Sequence, residues 1–465
     1  MIRLKKIFYI LPVLFVLMSI ATSCDKKDKD TTPSSETKLI GITFAANDSF
    51  PGLKNASFTI DLSTDTALVY NKDSLPVGTR IDSVVTTFYF STTIGYALFS
   101  SDSDTTLITS ADTLNFMPRP CHLRVLSEDM LHERNYNIFV NVHTVDPDLY
   151  VWKQTRESLF PGNCDVHAEN LNGAILLFTQ DGIKTALYRT VNGDVWTGPL
   201  TPTGLPKGAN VRQIIKGENN LYYAEDNKLY TSADGQNWSS TDYSSHGFII
   251  QNMLFYYNDS VWAVVSEPSS NKLAFATMAE DGVLSIQNQL GVINDYYLLA
   301  NEHFPISDFC AVTFYGKSGR KRAMIMGGYD AEGKALNSRW NLEWIDIDAN
   351  RGFYRLENFT IEQPEFTAIT NAALVWYDEK MLLFGALEDS SDLVGHPVLE
   401  SRDEGMKWTI PDSAQNKLPA DYVVRQHQAI AVTDDNAILL IGGQNRTKSF
   451  SDVWRGKKNS INWIE

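Results

Sequence analysis

The chain has 465 residues, of which 43% are hydrophobic and 21% charged, and its formal net charge is −16. A chain of this length is too long to fold around one small core, so two or more domains are predicted. The acidic balance argues against nucleic acid or an anionic membrane surface as a partner. Twenty Tyr, ten Trp and 28 Gly, without a long helical periodicity, predict an all-β fold.

Residues 1–23 have the pattern of an export signal. A basic start is followed by an apolar run over residues 7–20 and by small residues before Cys24. The run is too short to cross a bilayer comfortably, so a cleaved signal is predicted rather than a membrane helix. Cys24 after small residues resembles a bacterial lipobox, although Ala21 replaces the usual Leu. The resemblance implies an acylated thiol and membrane attachment through lipid alone. A plain secretory signal with an incidental cysteine is the alternative.

Residues 24–36 are predicted to form a flexible tether, because no apolar residue follows Cys24 until Leu39. Its acidic and lysine-rich start resembles the surface-export signal of Bacteroidota lipoproteins, which implies the outer face of the outer membrane rather than the periplasm. A simple linker is the alternative. Loss of the signal leaves 37 Lys and Arg against 56 Asp and Glu, a formal charge of −19.

Three scattered cysteines follow the tether: Cys121, Cys164 and Cys310. They form no CxxC motif and no disulfide framework. We therefore interpret them as small core residues with at most one bridge among them.

Residues 37–146 are predicted to form a small β-sandwich. Candidate strands cover residues 38–44, 56–61, 67–70, 84–90 and 96–99, and the clearest alternation places Tyr136, Ile138, Val140 and Val142 on one face. The segments LPVGTRIDSVVTTF and VLSEDMLHERNYNIFVNV are similar to Ig-like or cadherin-like modules. That resemblance implies a stalk or spacer. The polar, Pro-containing residues 146–148 should form the hinge to the next domain.

Six related units follow in residues 150–465. Each has an apolar strand, a polar loop, another strand and a Gly-containing hairpin that ends in an aromatic residue. The apolar strands are centred near residues 175, 221, 264, 325, 383 and 440. Spacings of 43 to 61 residues match a four-stranded propeller blade with loop insertions. We predict a six-bladed β-propeller, with seven blades as the alternative and residues 149–154 as a strand that closes the ring.

Two units resemble kelch repeats. In the last unit, Arg425, His427 and Ala429 are predicted to open an alternating strand. The doublet Gly442 and Gly443 precedes Trp454 by eleven residues, and Trp463 closes the unit. In the fourth unit, the doublet Gly327 and Gly328 precedes Trp340 by twelve residues.

Three other units carry hairpins that resemble the Asp boxes of sialidase-like propellers. Ser401, Asp403, Gly405 and Trp408 fit the S-x-D-x-G-x-x-W pattern, and tighter versions end in Trp196 and Trp238. Asp accepts backbone N–H bonds across such a turn, Gly supplies positive φ, and Trp packs between blades. Both motifs predict a fold and imply no catalysis.

Catalytic chemistry is not predicted. A sialidase-like glycoside hydrolase remains the alternative function, but it needs a converging arginine triad, whereas Arg189, Arg322, Arg339 and Arg425 are spread over several units. The histidines form no HxxxH or HxH motif, and phosphate-loop and G-x-S-x-G signatures are absent from the sequence. We therefore expect no catalytic residue, no cofactor and no metal.

The predicted function is non-catalytic binding of a glycan or an envelope protein. Propeller ligands bind where the loops between second and third strands and between blades surround the axis. Tyr329 is a candidate for stacking on a sugar ring, with packing against its own loop as the alternative. Arg425 and His427 should lie nearer the channel. The predicted ligand face consists of Gln180, Asp181, Tyr329, Asp330, Glu388, Asp389, Arg425, His427, Gln444, Asn445 and Arg446.

Overall fold

The computed structural model describes residues 32–102, 104–270, 272–279, 283–287, 304–348, 351–363, 366, 368–385 and 396–459. The chain forms two compact units, which meet between Asp146 and Pro147. Helix in the described ranges is limited to three short 3-10 turns, Leu53–Asn55, Val211–Gln213 and Ser244–His246. Over the same ranges, every helix is too short or too polar to cross a membrane.

The described residues of the first unit form nine strands in two sheets. The sheet orders are β1-β4-β7 and β2-β3-β9-β8-β5-β6, and β3 and β9 run parallel. The strands are β1 (Leu39–Phe44), β2 (Phe58–Asp61), β3 (Thr66–Asn71), β4 (Val84–Phe90), β5 (Ile94–Ser101), β6 (Asp104–Leu107), β7 (Asp112–Leu114), β8 (Cys121–Ser127) and β9 (Glu133–Phe139).

One apolar core lies between these two sheets. Tyr136 and Ile138 of β9 are buried in it, as their alternation predicted, and so is Val140 just beyond the strand. The Tyr136 hydroxyl accepts from Leu39 N and donates to Thr37 O, both at 2.9 Å. This buried hydroxyl therefore ties the first strand of the unit to its last.

The second unit contains six separate antiparallel sheets among its described residues. Each sheet has at least one short hairpin turn in which Asn, Asp or Gly adopts positive φ. The first sheet is β11 (Asp165–Leu171), β12 (Ala174–Asp181), β13 (Lys184–Thr190) and β14 (Thr197–Leu200); the second is β15 (Ile215–Lys216), β16 (Leu221–Glu225), β17 (Lys228–Ser232) and β18 (Ser239–Asp242); the third is β19 (Ile249–Tyr257), β20 (Ser260–Ser266), β21 (Leu273–Met278) and β22 (Leu284–Ile286). The fourth sheet is β23 (Cys310–Tyr315), β24 (Lys321–Met326), β25 (Ser338–Asp348) and β26 (Arg351–Thr360); the fifth is β27 (Ala373–Tyr377), β28 (Lys380–Phe384) and β29 (Val398–Ser401); the sixth is β30 (Ala429–Val432), β31 (Ile438–Gln444) and β32 (Ser449–Lys458), completed by β10 (Tyr150–Arg156).

Strand β10 supplies the outer strand of the sixth sheet, although it precedes the first sheet in sequence. It pairs antiparallel with β32, with Tyr150 opposite Lys458 and Gln154 opposite Trp454. The predicted closing strand, residues 149–154, lies in this position. The two ends of the unit are therefore joined by backbone hydrogen bonds.

The six sheets follow one another in a closed cycle. The first strand of each sheet contacts the first strand of the next, in the order β11, β15, β19, β23, β27, β30 and back to β11. Each neighbouring pair of sheets also encloses its own apolar cluster. Such a ring of small antiparallel sheets is a β-propeller.

The glycine doublet of the sixth sheet lies against residues that precede β11 and β30, the first strands of the first and sixth sheets. Gly442 has φ 61°, and a Cβ there would lie 2.7 Å from the Phe160 ring. Gly443 has φ 98°, and its Cβ would lie 2.6 Å from the Gln426 carbonyl oxygen. A side chain at either position would strain the backbone and collide with its neighbour.

Candidate functional site

Three polar residues occupy equivalent positions at one end of the propeller. Asp308, Asn371 and His427 each lie two residues before the first strand of a sheet, namely β23, β27 and β30. Their φ angles are 53°, 55° and 57°. Asn371 N donates to Asp308 O at 3.0 Å, and His427 N donates to Asn371 O at 2.9 Å. These bonds join the fourth, fifth and sixth sheets in series.

The guanidinium of Arg212 contacts all three of these side chains. Its Nη1 lies 3.1 Å from Asn371 Oδ1 and 3.5 Å from Asp308 Oδ1, and its Nη2 donates to His427 Nδ1. Its Nε lies 3.4 Å from Asp165 Oδ1 at the start of β11. One side chain from the second sheet therefore meets residues from four other sheets. We call these five residues the axial cluster.

The short turn before β15 positions Arg212. The side chain of Asn210 caps the 3-10 turn Val211–Gln213 by accepting from Arg212 N at 3.2 Å. The next residue, Gln213, donates through Nε2 to Asn252 Oδ1 at 2.7 Å. Polar contacts therefore continue from the axial cluster towards the third sheet.

Burial controls the protonation of the axial cluster. It lowers the pKa of Arg212, while the carboxylates of Asp165 and Asp308 act in the opposite direction. Burial, followed by the charge of Arg212, lowers the pKa of His427 to about 4. The imidazole is therefore neutral at pH 7, and its Nδ1 can accept from the guanidinium.

The axial cluster remains open to solvent. The exposed fraction of the side chain is 55% for Asp165, 35% for Asp308 and 23% for Arg212. Two carboxylates, an amide, an imidazole and a guanidinium offer both donors and acceptors of hydrogen bonds. The arrangement therefore suits a ligand with several hydroxyl groups.

Of the two residues predicted to lie near the channel, only His427 belongs to the axial cluster. Arg425 is buried, and its guanidinium forms two hydrogen bonds with Asp452. Its Cζ also lies 4.7 Å from the Tyr422 ring centroid and 3.8 Å from that of Phe450. The prediction that Arg425 belongs to the ligand face is therefore wrong. The prediction fails because His427 has a left-handed φ, which interrupts the predicted strand before Ala429.

Several other residues of the predicted ligand face stabilise their own loops. Gln180 Nε2 donates to Gly182 O at 3.0 Å and to Gly208 O at 2.9 Å. Asp330 is buried, and its Oδ1 accepts from the backbone N–H groups of Glu332 and Lys334. The Asn445 side chain accepts in the same way from the turn that follows it.

The remaining predicted residues differ in exposure. Asp181 and Arg446 are exposed, and Tyr329 and Gln444 are half-buried. Gln444 exchanges two backbone hydrogen bonds of 2.8 Å with Gln426, directly before His427. Three predicted residues, Glu388 and Asp389 of the ligand face and Trp463 of the repeats, lie outside the described residues, as do Cys24 and the export signal.

The Asp-box side chains bond within their own turns. In the second sheet, Gly235 N donates to Ser232 Oγ at 2.9 Å, and the next two backbone N–H groups donate to Asp234 Oδ1 at 2.8 Å. Burial alone would raise the pKa of Asp234, but these hydrogen bonds hold it at about 2. Trp238 Nε1 donates to Gly235 O at 2.9 Å. The fifth sheet repeats the contacts of the serine, aspartate and glycine with Ser401, Asp403 and Gly405, whereas the buried Trp408 Nε1 has no hydrogen-bond partner in the described part of the chain.

The four arginines considered for a sialidase-like triad do not converge. Arg189 Nη2 donates to Asp234 O at 2.5 Å, and Arg339 Nη1 donates to Glu404 O. Arg322 pairs with the carboxylate of Glu404. These three arginines thus attach an Asp-box turn to the preceding sheet, while Arg425 is buried in the sixth.

Four members of the axial cluster were not predicted: Asp165, Arg212, Asp308 and Asn371. Arg212 lies in a three-residue turn that has no sequence motif. Aligning the units on their inner strands, rather than on the glycine doublets, would have brought Asp308, Asn371 and His427 into register. Among the described residues, no group of three or more His, Cys, Asp or Glu side chains is arranged to hold a metal ion.

The closed cycle of sheets and the polar cluster at one end of it define a β-propeller protein with a candidate binding site on its axis. Residues 146–465 match the DUF6242 beta propeller domain, and residues 22–140 match the N-terminal domain of the same family, a domain of unknown function. The chain therefore belongs to the DUF6242 family.

Distant similarity to solved propellers accompanies this family match. The structure of YjhT has 10% sequence identity and a TM-score of 0.42 over 64% of this chain and 96% of that one. A streptogramin B lyase has 10% identity and a TM-score of 0.35 over 67% and 98%. An α-L-arabinofuranosidase from Clostridium thermocellum has 14% identity and a TM-score of 0.27 over 61% and 82%. These values carry no argument about activity. No curated protein sequence matches the chain.

Proposed function

We propose that this protein is a surface lipoprotein whose six-bladed, kelch-like propeller binds a glycan without catalysis, through the axial cluster. The observation that carries the proposal is the position of Arg212, which brings side chains from five sheets into one solvent-exposed polar site. Glycan hydroxyl groups both donate and accept hydrogen bonds, as the side chains of this cluster do.

The architecture of the axial cluster supports binding at a fixed geometry. Asp308, Asn371 and His427 are held by backbone hydrogen bonds between sheets, and each directly precedes a strand. Polar groups on rigid elements pay little ordering entropy when a ligand binds. Asp165 is the most exposed of the ion-paired groups and is the natural first contact for a ligand.

The membrane attachment is a separate part of the proposal. We propose acylation at Cys24, a tether over residues 24–36 and an Ig-like first unit that acts as a spacer. Membrane fractionation of a Cys24→Ser variant tests the anchor, because the variant should be released into the soluble fraction. Retention of that variant in the membrane fraction would refute lipid anchoring.

A glycan array probed with the soluble Cys24→Ser chain tests the binding function. The proposal predicts binding to at least one glycan, and binding should disappear in an Arg212→Met variant that unfolds cooperatively. Arg156→Met, which changes an exposed arginine at the end of β10 and outside the predicted ligand face, is the matched control. Absence of binding to every glycan would contradict the proposal. Hydrolysis of a bound glycan would favour the glycoside hydrolase alternative, and capture of an envelope protein without glycan binding would favour a protein partner.

A further inference from the structure

A second polar cavity lies at the opposite end of the propeller, and we call it the basal cavity. It has a volume of about 200 Å³, and its walls include Tyr150 of β10, Gln415 and the turn after β27. Strand β27 separates it from the axial cluster, since Asn371 precedes the strand and Asp378 follows it. At about 3.3 Å per residue, the two sites lie roughly 20 Å apart.

Tyr150 is the feature of the basal cavity that indicates a ligand. The residue is 3% exposed, and within the described part of the chain its hydroxyl has no hydrogen-bond partner. Burial, with nearby Asp378 contributing, raises the pKa of this hydroxyl, so it stays protonated and can both donate and accept. Burying a hydroxyl without a hydrogen bond is unfavourable in free energy, and most buried hydroxyl groups in proteins have a hydrogen-bond partner. Tyr150 is one of the residues that line the cavity, so a molecule bound there could supply that partner.

The charges around the basal cavity balance one another. The basic residues in its wall are Lys317, Lys380, Arg402 and Lys458. The acidic residues in its wall are Asp148, Asp378 and Glu379. Glu400 beneath the wall supplies a fourth carboxylate, which pairs with Lys380 at 2.7 Å and with Arg402 at 3.1 Å.

The remaining pairing shows that most of these charges are already satisfied. Lys458 Nζ lies 2.7 Å from Asp378 Oδ2 and 3.2 Å from Asp148 Oδ1. Four cations against four carboxylates give no net attraction for an anion or a cation. The wall also contains no aliphatic side chain, so it offers little apolar surface to a hydrophobic ligand.

We propose that the basal cavity binds a small, uncharged, polyhydroxylated ligand of about the size of a monosaccharide, with the Tyr150 hydroxyl as its central hydrogen-bond partner. Hydroxyl groups of such a ligand can accept hydrogen bonds from lysine and arginine and, at the same time, donate hydrogen bonds to carboxylates. The site is independent of the axial cluster, because it shares no residue with it.

Saturation-transfer NMR on the soluble Cys24→Ser chain tests this proposal, with glucose, galactose, mannose, arabinose and myo-inositol as neutral probes. At least one of them should bind, and raising NaCl from 50 to 500 mM should change its affinity less than about twofold, since the ligand carries no charge. Galacturonate, glucosamine and glycine serve as anionic, cationic and zwitterionic comparisons. The proposal is overturned if none of the neutral probes binds or if a charged comparison binds more tightly than all of them.

Substitutions assign the binding to the basal cavity. Tyr150→Phe removes one oxygen and should lower the affinity for the neutral ligand about tenfold. This is the usual effect of losing one hydrogen bond in a buried site. The variant should keep the melting temperature of the parent, because the hydroxyl makes no bond to the described protein. Tyr230→Phe, in β17 of the second sheet, is the matched control and should bind as the parent does. Asp165→Asn should also leave this binding unchanged, which separates it from the axial cluster. Equal affinity of the Tyr150→Phe variant and the parent would overturn the assignment.

Discussion

Arg212 Nη1 and Asn371 Oδ1 lie 3.1 Å apart, although the two residues belong to the second and fifth sheets and are separated by 159 positions in the chain. A contact of this kind requires the two sheets to approach the same axis. It therefore connects ring closure with the site that we propose for binding. The same guanidinium contacts His427, where its charge adds to burial in lowering the pKa of the imidazole.

Replacing Arg212 should raise the pKa of His427. Burial is the main cause of the low value of about 4, but the charge of Arg212 lowers it further, while Asp308 and Asp165 raise it. Arg212→Met removes the positive charge and leaves both carboxylates, so the imidazole should titrate closer to its ordinary 6.5. NMR of the imidazole protons across pH 3 to 8 measures the change. An unchanged or lower pKa of His427 in this variant would show that the guanidinium does not act on the ring.

His427 should also make folding stability depend on pH. Between pH 6.5 and 4 the unfolded chain binds a proton at this histidine and the folded chain does not, so stability falls as the pH decreases through that window. The contribution of His427 to the free energy of unfolding is at most about 3 kcal/mol. The actual contribution is smaller, because the ring retains contact with solvent.

The variant His427→Asn should flatten this dependence. Asn tolerates the left-handed φ, as it does at Asn371, and it has no proton to bind in this range. Denaturant unfolding at several pH values measures the slope. His122→Asn, which changes an exposed histidine of the first unit, is the control and should leave the slope unchanged. A slope in His427→Asn equal to that of the parent would contradict the pKa assignment.

Removing Arg425 should destabilise the propeller strongly. Its guanidinium is buried between two aromatic rings and paired with Asp452, so Arg425→Ala leaves an uncompensated buried carboxylate. The expected loss in the free energy of unfolding is about 3–5 kcal/mol. Arg446→Ala in an exposed loop of the same sheet should change it by less than about 0.5 kcal/mol. Similar unfolding midpoints for the two variants would argue that Arg425 is not a structural residue.

Trp152 should be equally important, although it lies in the first strand of the unit. It is buried against Phe384, with ring centroids 5.8 Å apart, and its Nε1 donates to Asn416 Oδ1 at 3.0 Å. Trp152→Ala should lower the free energy of unfolding by about 3–5 kcal/mol, because β10 completes the last sheet. Val151→Ala, at an exposed neighbouring position, should cost far less. A small effect of Trp152→Ala would mean that ring closure contributes little to stability.

The repeat pattern of the sequence was sufficient to predict an all-β chain with a β-propeller domain, because each unit encodes its own hairpins. Ser401, Asp403 and Gly405 specify a turn by local hydrogen bonds, and Gly442 and Gly443 specify a close approach of backbone. The closing strand, residues 149–154, was predictable only as one of two ways to complete the last unit, because Trp463 offered another fourth strand.

The candidate binding site was less predictable, because it is built by residues between the repeats. Arg212 contacts residues 47 to 215 positions away, and no local pattern records such contacts. Arg425 and His427 would share one face of a regular strand, but the positive φ of His427 turns the first into the core and the second towards the axis. Alternation predicts a shared face only where the backbone remains extended.

The central claim, that the axial cluster binds the ligand, is tested most directly by calorimetric titration of the best glycan from the array into two variants. Asp165→Asn changes a half-exposed side chain of the axial cluster, and Asp259→Asn makes the same change at an exposed position outside both the axial cluster and the predicted ligand face. Loss of a charged hydrogen-bond partner should weaken binding to Asp165→Asn about tenfold or more, with Asp259→Asn equal to the parent. Equal affinities in both variants and the parent would contradict the account.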